Sequence, residues 1–160
     1  MPTPTAQDHE FLTRVFALAQ RSRAEGHHPF AAIVVGADGT VIAEAMNDSS
    51  TDRTAHAEMN ALRAASRRYG PAELAGATLY SNAEPCAMCA GGTYWSGVGR
   101  VVYGMSETSL LALTGSDPEN PTLSLPCREV FARGQRPTEV IGPVREDEAK
   151  AAHSGFWRNE

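Results

Sequence analysis

Cations are scarce in this 160-residue chain: 14 Lys and Arg stand against 19 Asp and Glu, the net charge is −5, and Lys150 is the only lysine. Such a balance offers a phosphate backbone few partners, so a nucleic acid partner is not expected. Arg63, Arg67 and Arg68 form the nearest thing to a basic patch, and their helical spacing suits an ordinary solvated face. Long apolar runs are missing as well. No stretch approaches the roughly 20 residues of a membrane helix, so no membrane partner is expected. Met1 to Asp8 has neither the basic nor the apolar part of a secretion signal, and a cytoplasmic setting is expected. Three cysteines are too few for a disulfide framework. Repeats, low-complexity tracts and linkers are also missing, so residues 1–160 read as a single domain, long enough to bury roughly 70% of its unfolded surface.

What the chain does have is a concentration of metal-binding chemistry at Thr54-Ala55-His56-Ala57-Glu58 and Glu84-Pro85-Cys86-Ala87-Met88-Cys89. His56 offers an imidazole nitrogen, and Cys86 with Cys89 offers two sulfurs that one helical turn can direct inward. Zinc accepts this donor set, and three protein ligands leave a fourth tetrahedral position for water, which is the catalytic arrangement. Glu58, two residues after His56, can lie beside the metal without binding it and move protons. The plainer alternative is a structural zinc with Glu58 as an ordinary helix N-terminal carboxylate, but a structural site normally has four protein ligands and no fourth stands nearby.

Periodicity places these residues. Phe11, Leu12, Val15, Phe16, Leu18 and Ala19 recur at helical spacing over 6–25, ended by Gly26. His27-His28-Pro29 reads as a polar loop, because adjacent side chains beside a proline converge poorly on a metal. Residues 30–35 and 41–45 form an apolar hairpin around Ala37-Asp38-Gly39-Thr40. A helix is predicted over 55–68, with His56 and Glu58 in its first turn, where the helix dipole favours an ionised Glu58. Strands follow at 77–81 and 98–104, with Arg100 exposed. Between them Pro85 opens a helix carrying Cys86 and Cys89 in its first turn, where the dipole and the metal lower the thiol pKa. Further on, 108–113 and 128–133 read as short helices, 138–141 as a strand and 145–157 as a last helix. Residues 114–126 form a long loop of the kind that serves as a functional lid or is disordered. Helices alternating with five strands describe an α/β three-layer α/β/α sandwich around a mixed sheet.

His56-Ala57-Glu58 followed by Pro85-Cys86-Ala87-Met88-Cys89 resembles the H-x-E…P-C-x-x-C signature of zinc nucleobase and nucleoside deaminases. Beyond that motif the chain is similar, from about Phe11 onward, to small bacterial guanine deaminases. The resemblance implies a cytidine deaminase-like fold, zinc on His56, Cys86 and Cys89, and Glu58 as proton shuttle in hydrolytic release of ammonia. It implies pocket walls from Phe30 and Trp95, base contacts from Asn47 and the Ala57 amide, closure by the C-terminal Phe156-Trp157, and a homodimer. Phe30 and Trp95 are equally eligible for the core, Asn47 for a turn, and Trp157 for pinning the last helix. The family's further acidic residue falls near Glu107, although residue counting lands closer to Ser109. A guanine-like free base is therefore the expected substrate, with base analogues or triazines as variants. A tRNA wobble adenosine deaminase and a cytosine or cytidine deaminase are the alternatives.

Overall fold

The computed structural model describes residues 2–158. Five strands, β1 (Ala31–Val35), β2 (Val41–Met46), β3 (Thr78–Ala83), β4 (Arg100–Met105) and β5 (Glu139–Ile141), form one sheet in the order β2-β1-β3-β4-β5. Strand β1 runs antiparallel to both of its neighbours, whereas β3, β4 and β5 are mutually parallel. The mixed five-stranded sheet expected from the sequence is therefore present.

Alternation along β1 separates the two outer layers. Ala31, Ile33 and Val35 pack with Leu12, Val15 and Ala19 of α1 (Ala6–Ala24), while Ala32 and Val34 face Ala61, Leu62 and Ala90 of α2 (Ala57–Ser66) and α4 (Ala87–Ser96). Both faces are covered, so the strand reads as a continuous apolar run. The remaining helices are a single turn α3 (Pro71–Leu74), α5 (Glu107–Thr114), α6 (Cys127–Ala132) and α7 (Glu146–Lys150), with a 3-10 turn at Ala151–His153. Cys127 is fully buried in the α2/α4 layer.

Three expectations are corrected here. The helix expected over 145–157 breaks after Lys150 into the 3-10 turn and an irregular segment. Arg100 is not free in solvent: its guanidinium donates to both carboxylate oxygens of Asp8 at 2.7 and 2.6 Å, and Asp8 is only 1% exposed. The capping box of α1 is what brings that carboxylate there, since Thr5 Oγ1 accepts the Asp8 amide and Asp8 Oδ2 accepts the Thr5 amide. Neither His56 nor Cys86 lies inside a helical turn; each is the N-cap, of α2 and of α4.

Register decides where the loops meet. Ala31 is opposite Met46, Ala32 opposite Ser81, and Ala83 opposite Met105. Consequently Phe30 before β1, Asn47 after β2, Glu84 after β3 and Glu107 after β4 all emerge at the same end of the sheet. Ligand sites in open α/β sheets form at this position, beyond the carboxyl ends of parallel strands. Two glycines let the layers close: a Cβ on Gly104 would stand 2.7 Å from Ala149 Cβ and 2.8 Å from Phe16, and Gly97 ends α4 in the left-handed region at φ 96°.

Candidate active site

The ends of α2 and α4 meet above this edge. His56 Nδ1 lies 3.6 Å from Cys86 Sγ and 3.7 Å from Cys89 Sγ, and the three ligand atoms lie within 4.8 Å of one another. Tetrahedral zinc, with bonds of about 2.0 Å to nitrogen and 2.3 Å to sulfur, separates N from S by about 3.5 Å. The chain's own spacing fits that ion. It is the one such His, Cys or carboxylate cluster among the described residues, and His27 and His28 take no part in it.

Hydrogen bonding from Cys89 and then from His56 outweighs burial and pulls the Cys86 thiol down to about 4. The Cys86 sulfur and burial together push Cys89 up, and the thiolate bond to Cys86 raises His56. Zinc binding would require both sulfurs as thiolates.

Glu58 is 5% exposed. Ser81 Oγ donates to its Oε1 at 2.7 Å, and Cys89 Sγ donates to its Oε2 at 3.5 Å. One oxygen is therefore held by β3 while the other is turned towards the ligand cluster. Burial pushes this carboxyl up against the opposing pull of His56. Desolvation thus works against the helix N-terminus, which favours the ionised form.

A cavity of about 770 Å³ opens beside these residues. Phe30, Asn47 and Glu107 line it, as the sequence anticipated, together with His56, Glu58 and Cys86. Asn47 is 5% exposed, and its Oδ1 accepts from the amide and hydroxyl of Ser49 at 3.0 and 2.8 Å, so it shapes the turn as well as the wall. Glu107 is 8% exposed, and burial, then Cys86, Glu84 and Glu58, push its carboxyl up to about 8. Ser109, where counting had pointed, does not line the cavity; its amide instead donates to Oγ of Ser106, the N-cap of α5.

Trp95, expected as a wall, and Trp157, expected to close over the site, do not line the cavity. Trp95 is 81% exposed on the outer face of α4, edge-on to Tyr94. It sits two turns beyond the metal-facing start of the helix, so its side chain leaves the site altogether. Trp157 stands behind the wall, its ring 6.0 Å from Phe30 and 5.1 Å from His28, with its Nε1 donating to His153 Nδ1 at 2.9 Å. Ala57, wholly buried between His56 and Glu58, contributes no wall.

Sequence reasoning passed over four participants. His28 lines the cavity and pairs through Nε2 with Glu119 Oε2 at 3.4 Å; burial nevertheless draws its pKa down. Glu119 brings the 114–126 loop to the wall along with Asn120 to Leu123. Glu84 uses its two oxygens to accept the Glu107 amide at 3.0 Å and the Cys127 amide at 2.8 Å, tying α5 and α6 to the metal loop. Asn82, fully buried, accepts the Ala31 amide and donates to the Pro29 carbonyl, both at 2.9 Å, which fixes the backbone on either side of Phe30. Only the polar composition of 114–126 pointed towards this set.

A buried carboxyl beside a His-Cys-Cys metal site, both facing one cavity on an α/β/α sheet, defines a zinc hydrolase site. The family described as the cytidine and deoxycytidylate deaminase zinc-binding region matches residues 5–105, and the chain belongs to that family. Among its relatives is a probable cytosine deaminase of Schizosaccharomyces pombe, 40% identical over 154 residues covering 94% of this chain and 93% of the relative. The guanine deaminase of Bacillus subtilis is 41% identical over 105 residues, 63% of this chain and 67% of that one. The solved structure of NE0047 in complex with 2,6-diaminopurine superposes with a TM-score of 0.72 at 30% identity, covering 96% of this chain and 82% of the other. The activity is accordingly zinc-dependent deamination of a nucleobase or nucleoside.

Proposed function

We propose that the chain deaminates a free purine base of the guanine type. The observation that carries this reading is the scarcity of cations in the cavity. A single guanidinium, Arg53, stands among Glu58, Glu84, Glu107 and Glu119 in its lining. Such a wall offers a nucleotide phosphate or a tRNA backbone few partners, and its carboxyls and amide suit an uncharged ring bearing several N–H donors. Phe30 supplies an aromatic face, and Asn47 an amide that both donates and accepts. The resemblance to NE0047, whose complex holds 2,6-diaminopurine, supports an aminated purine.

His56, Cys86 and Cys89 would hold the zinc, whose chemistry when bound is to make water a nucleophile at neutral pH. Glu58, anchored by Ser81 through one oxygen, would use the other to pass a proton from the attacking water to a ring nitrogen, and then a second proton from the added hydroxyl to the amino group, which leaves as ammonia. Its burial keeps water from competing for that proton. Exposed Trp95 on α4 supports the homodimer implied by the resemblance.

Cytosine is the second reading, favoured by the yeast relative's match along nearly the whole of both chains. Ammonia release by zinc-loaded protein against guanine, adenine, cytosine, triazines, their nucleosides where these exist, and a tRNA anticodon stem-loop separates the readings. Turnover of guanine-type bases above all others is expected; turnover of the stem-loop alone would overturn the proposal, and a preference for cytosine would replace it with the second reading.

A further inference from the structure

Asn60 lies on α2, and its neighbours assign both ends of its side-chain amide. Nδ2 donates to the Met46 carbonyl at 3.1 Å and to the Ala55 carbonyl at 3.3 Å, while Oδ1 accepts from Arg63 at 3.4 Å. Two carbonyls on one side and a guanidinium on the other admit only this orientation. Each carbonyl belongs to the peptide bond that leads into a site residue, Met46 into Asn47 and Ala55 into His56. One N–H₂ group thus ties the exit of β2 to the entry of α2, across a loop, 47–54, whose Asn47, Ser49, Ser50, Thr51 and Arg53 line the cavity. The Asp48 amide donates to the same Ala55 carbonyl at 2.9 Å, and within the loop the Asp48 carbonyl accepts from Thr51 and Asp52 at 3.0 and 3.2 Å. The segment is a compact loop whose ends are cinched from the helix beside them.

The two ends depend on Asn60 to different degrees. His56 is the N-cap of α2, its carbonyl accepts the Asn60 main-chain amide at 3.0 Å, and its imidazole faces the two cysteine sulfurs. Met46 instead ends β2, an edge strand of the sheet, and the Asn60 side chain reaches its carbonyl from across the loop. We propose that Asn60 is a positioning residue for base binding: it draws the exit of β2 against α2 and so sets where Asn47 stands relative to the metal site. The inference rests on the base's lying against Asn47, as in the function proposed above. Asn60 does not line the cavity, and its amide bonds neither Glu58 nor a cysteine ligand, so its contribution falls on binding and not on proton transfer. Arg53, exposed within the loop, gives a readout independent of turnover, because trypsin cleaves a folded chain where the backbone opens locally.

The test compares the full-length, zinc-loaded parent with Asn60→Leu, Asn47→Ala and the double variant. Leucine keeps the side chain's bulk and suits a helix, but has no donor. Expected in Asn60→Leu is a KM for the best base raised at least about fivefold, the scale of one net hydrogen bond, with kcat within about threefold of the parent and zinc content unchanged. In the Asn47→Ala background the same substitution should change KM by less than about twofold, since its effect runs through Asn47. Tryptic cleavage after Arg53 should quicken at least about fivefold, while cleavage after Arg133, exposed at the end of α6, keeps the parent's rate. An unchanged KM, a fall in kcat at constant KM, a loss of zinc, an undiminished effect in Asn47→Ala, or cleavage that quickens equally at both arginines would overturn the proposal. Should Asn60→Leu fail to fold, Asn60→Ala decides the matter by the same readings. A parent inactive on every base counts against the preceding functional reading, whereas the cleavage comparison still tests the hold of Asn60 on the loop.

Discussion

Glu58 and Glu107 share a cavity and a direction of shift, but they are supported differently. Ser81 and Cys89 hold Glu58 at the metal. Glu107 has its amide fixed by Glu84, while its carboxyl lines the cavity and is pushed up to about 8 by burial and then by Cys86, Glu84 and Glu58. Its folded pKa lies above the unfolded value of 4.5. The folded state therefore binds the extra proton between these values, and the stability from this group is lost as pH rises through that window. In zinc-free protein, Glu107→Gln is expected to gain Tm relative to the parent as pH goes from 5 to 8; a difference that stays flat or shrinks in thermal melts would contradict this. His56, Glu58, Cys86 and Cys89 were legible in the sequence because the chemistry is written in two short segments. Glu119 and His28 were not, since each depends on a loop that only the folded chain brings across the sheet. Trp95 misled because an aromatic next to a motif is equally at home facing inward or outward, and the helical phase set by Cys86 and Cys89 turns it out.

At the scale of elements, the site is made by two helix starts and the strand between them. Placing His56 and Cys86 as N-caps leaves their side chains outside the helical turns, free to converge, and the unpaired first-turn amides surround them with positive potential. Strand β3 supplies Ser81 to Glu58, and Asn82 to the backbone flanking Phe30. Asn82→Ala strands a buried N–H at Ala31 and a buried carbonyl at Pro29, and is expected to cost about 2–3 kcal/mol. Urea unfolding measures this, and a change below about 0.5 kcal/mol, the level of an ordinary surface substitution, would show that the bonds do not hold the β1 entry. The strands and long helices were readable from their periods. The turn α3 was missed because four residues carry no periodicity. The last helix was overdrawn because the apolar spacing continues through Phe156 and Trp157, which pack against His28 and Phe30 as a non-helical segment instead.

For the molecule as a whole, the sheet acts as a common ruler: its register delivers Phe30, Asn47, Glu84 and Glu107 to one end, where the helix starts add the metal ligands and Glu58. Away from that end, Asp8, Tyr80 and Arg100 join the start of α1 to β3 and β4, with Tyr80 donating to Asp8 at 2.6 Å. Although burial opposes it, the Arg100 guanidinium holds Asp8 well below the usual carboxylate range. No described helix is long and apolar enough to cross a membrane, and the scarcity of cations in the sequence reappears as the acidic cavity. All of this serves one carboxylate. The most direct test is ammonia release from the best base by zinc-loaded parent and Glu58→Gln, with zinc content measured on both. The account predicts a loss of at least about 10²-fold, the scale of a positioned acid/base, with zinc unchanged. Equal release from the two proteins would contradict it.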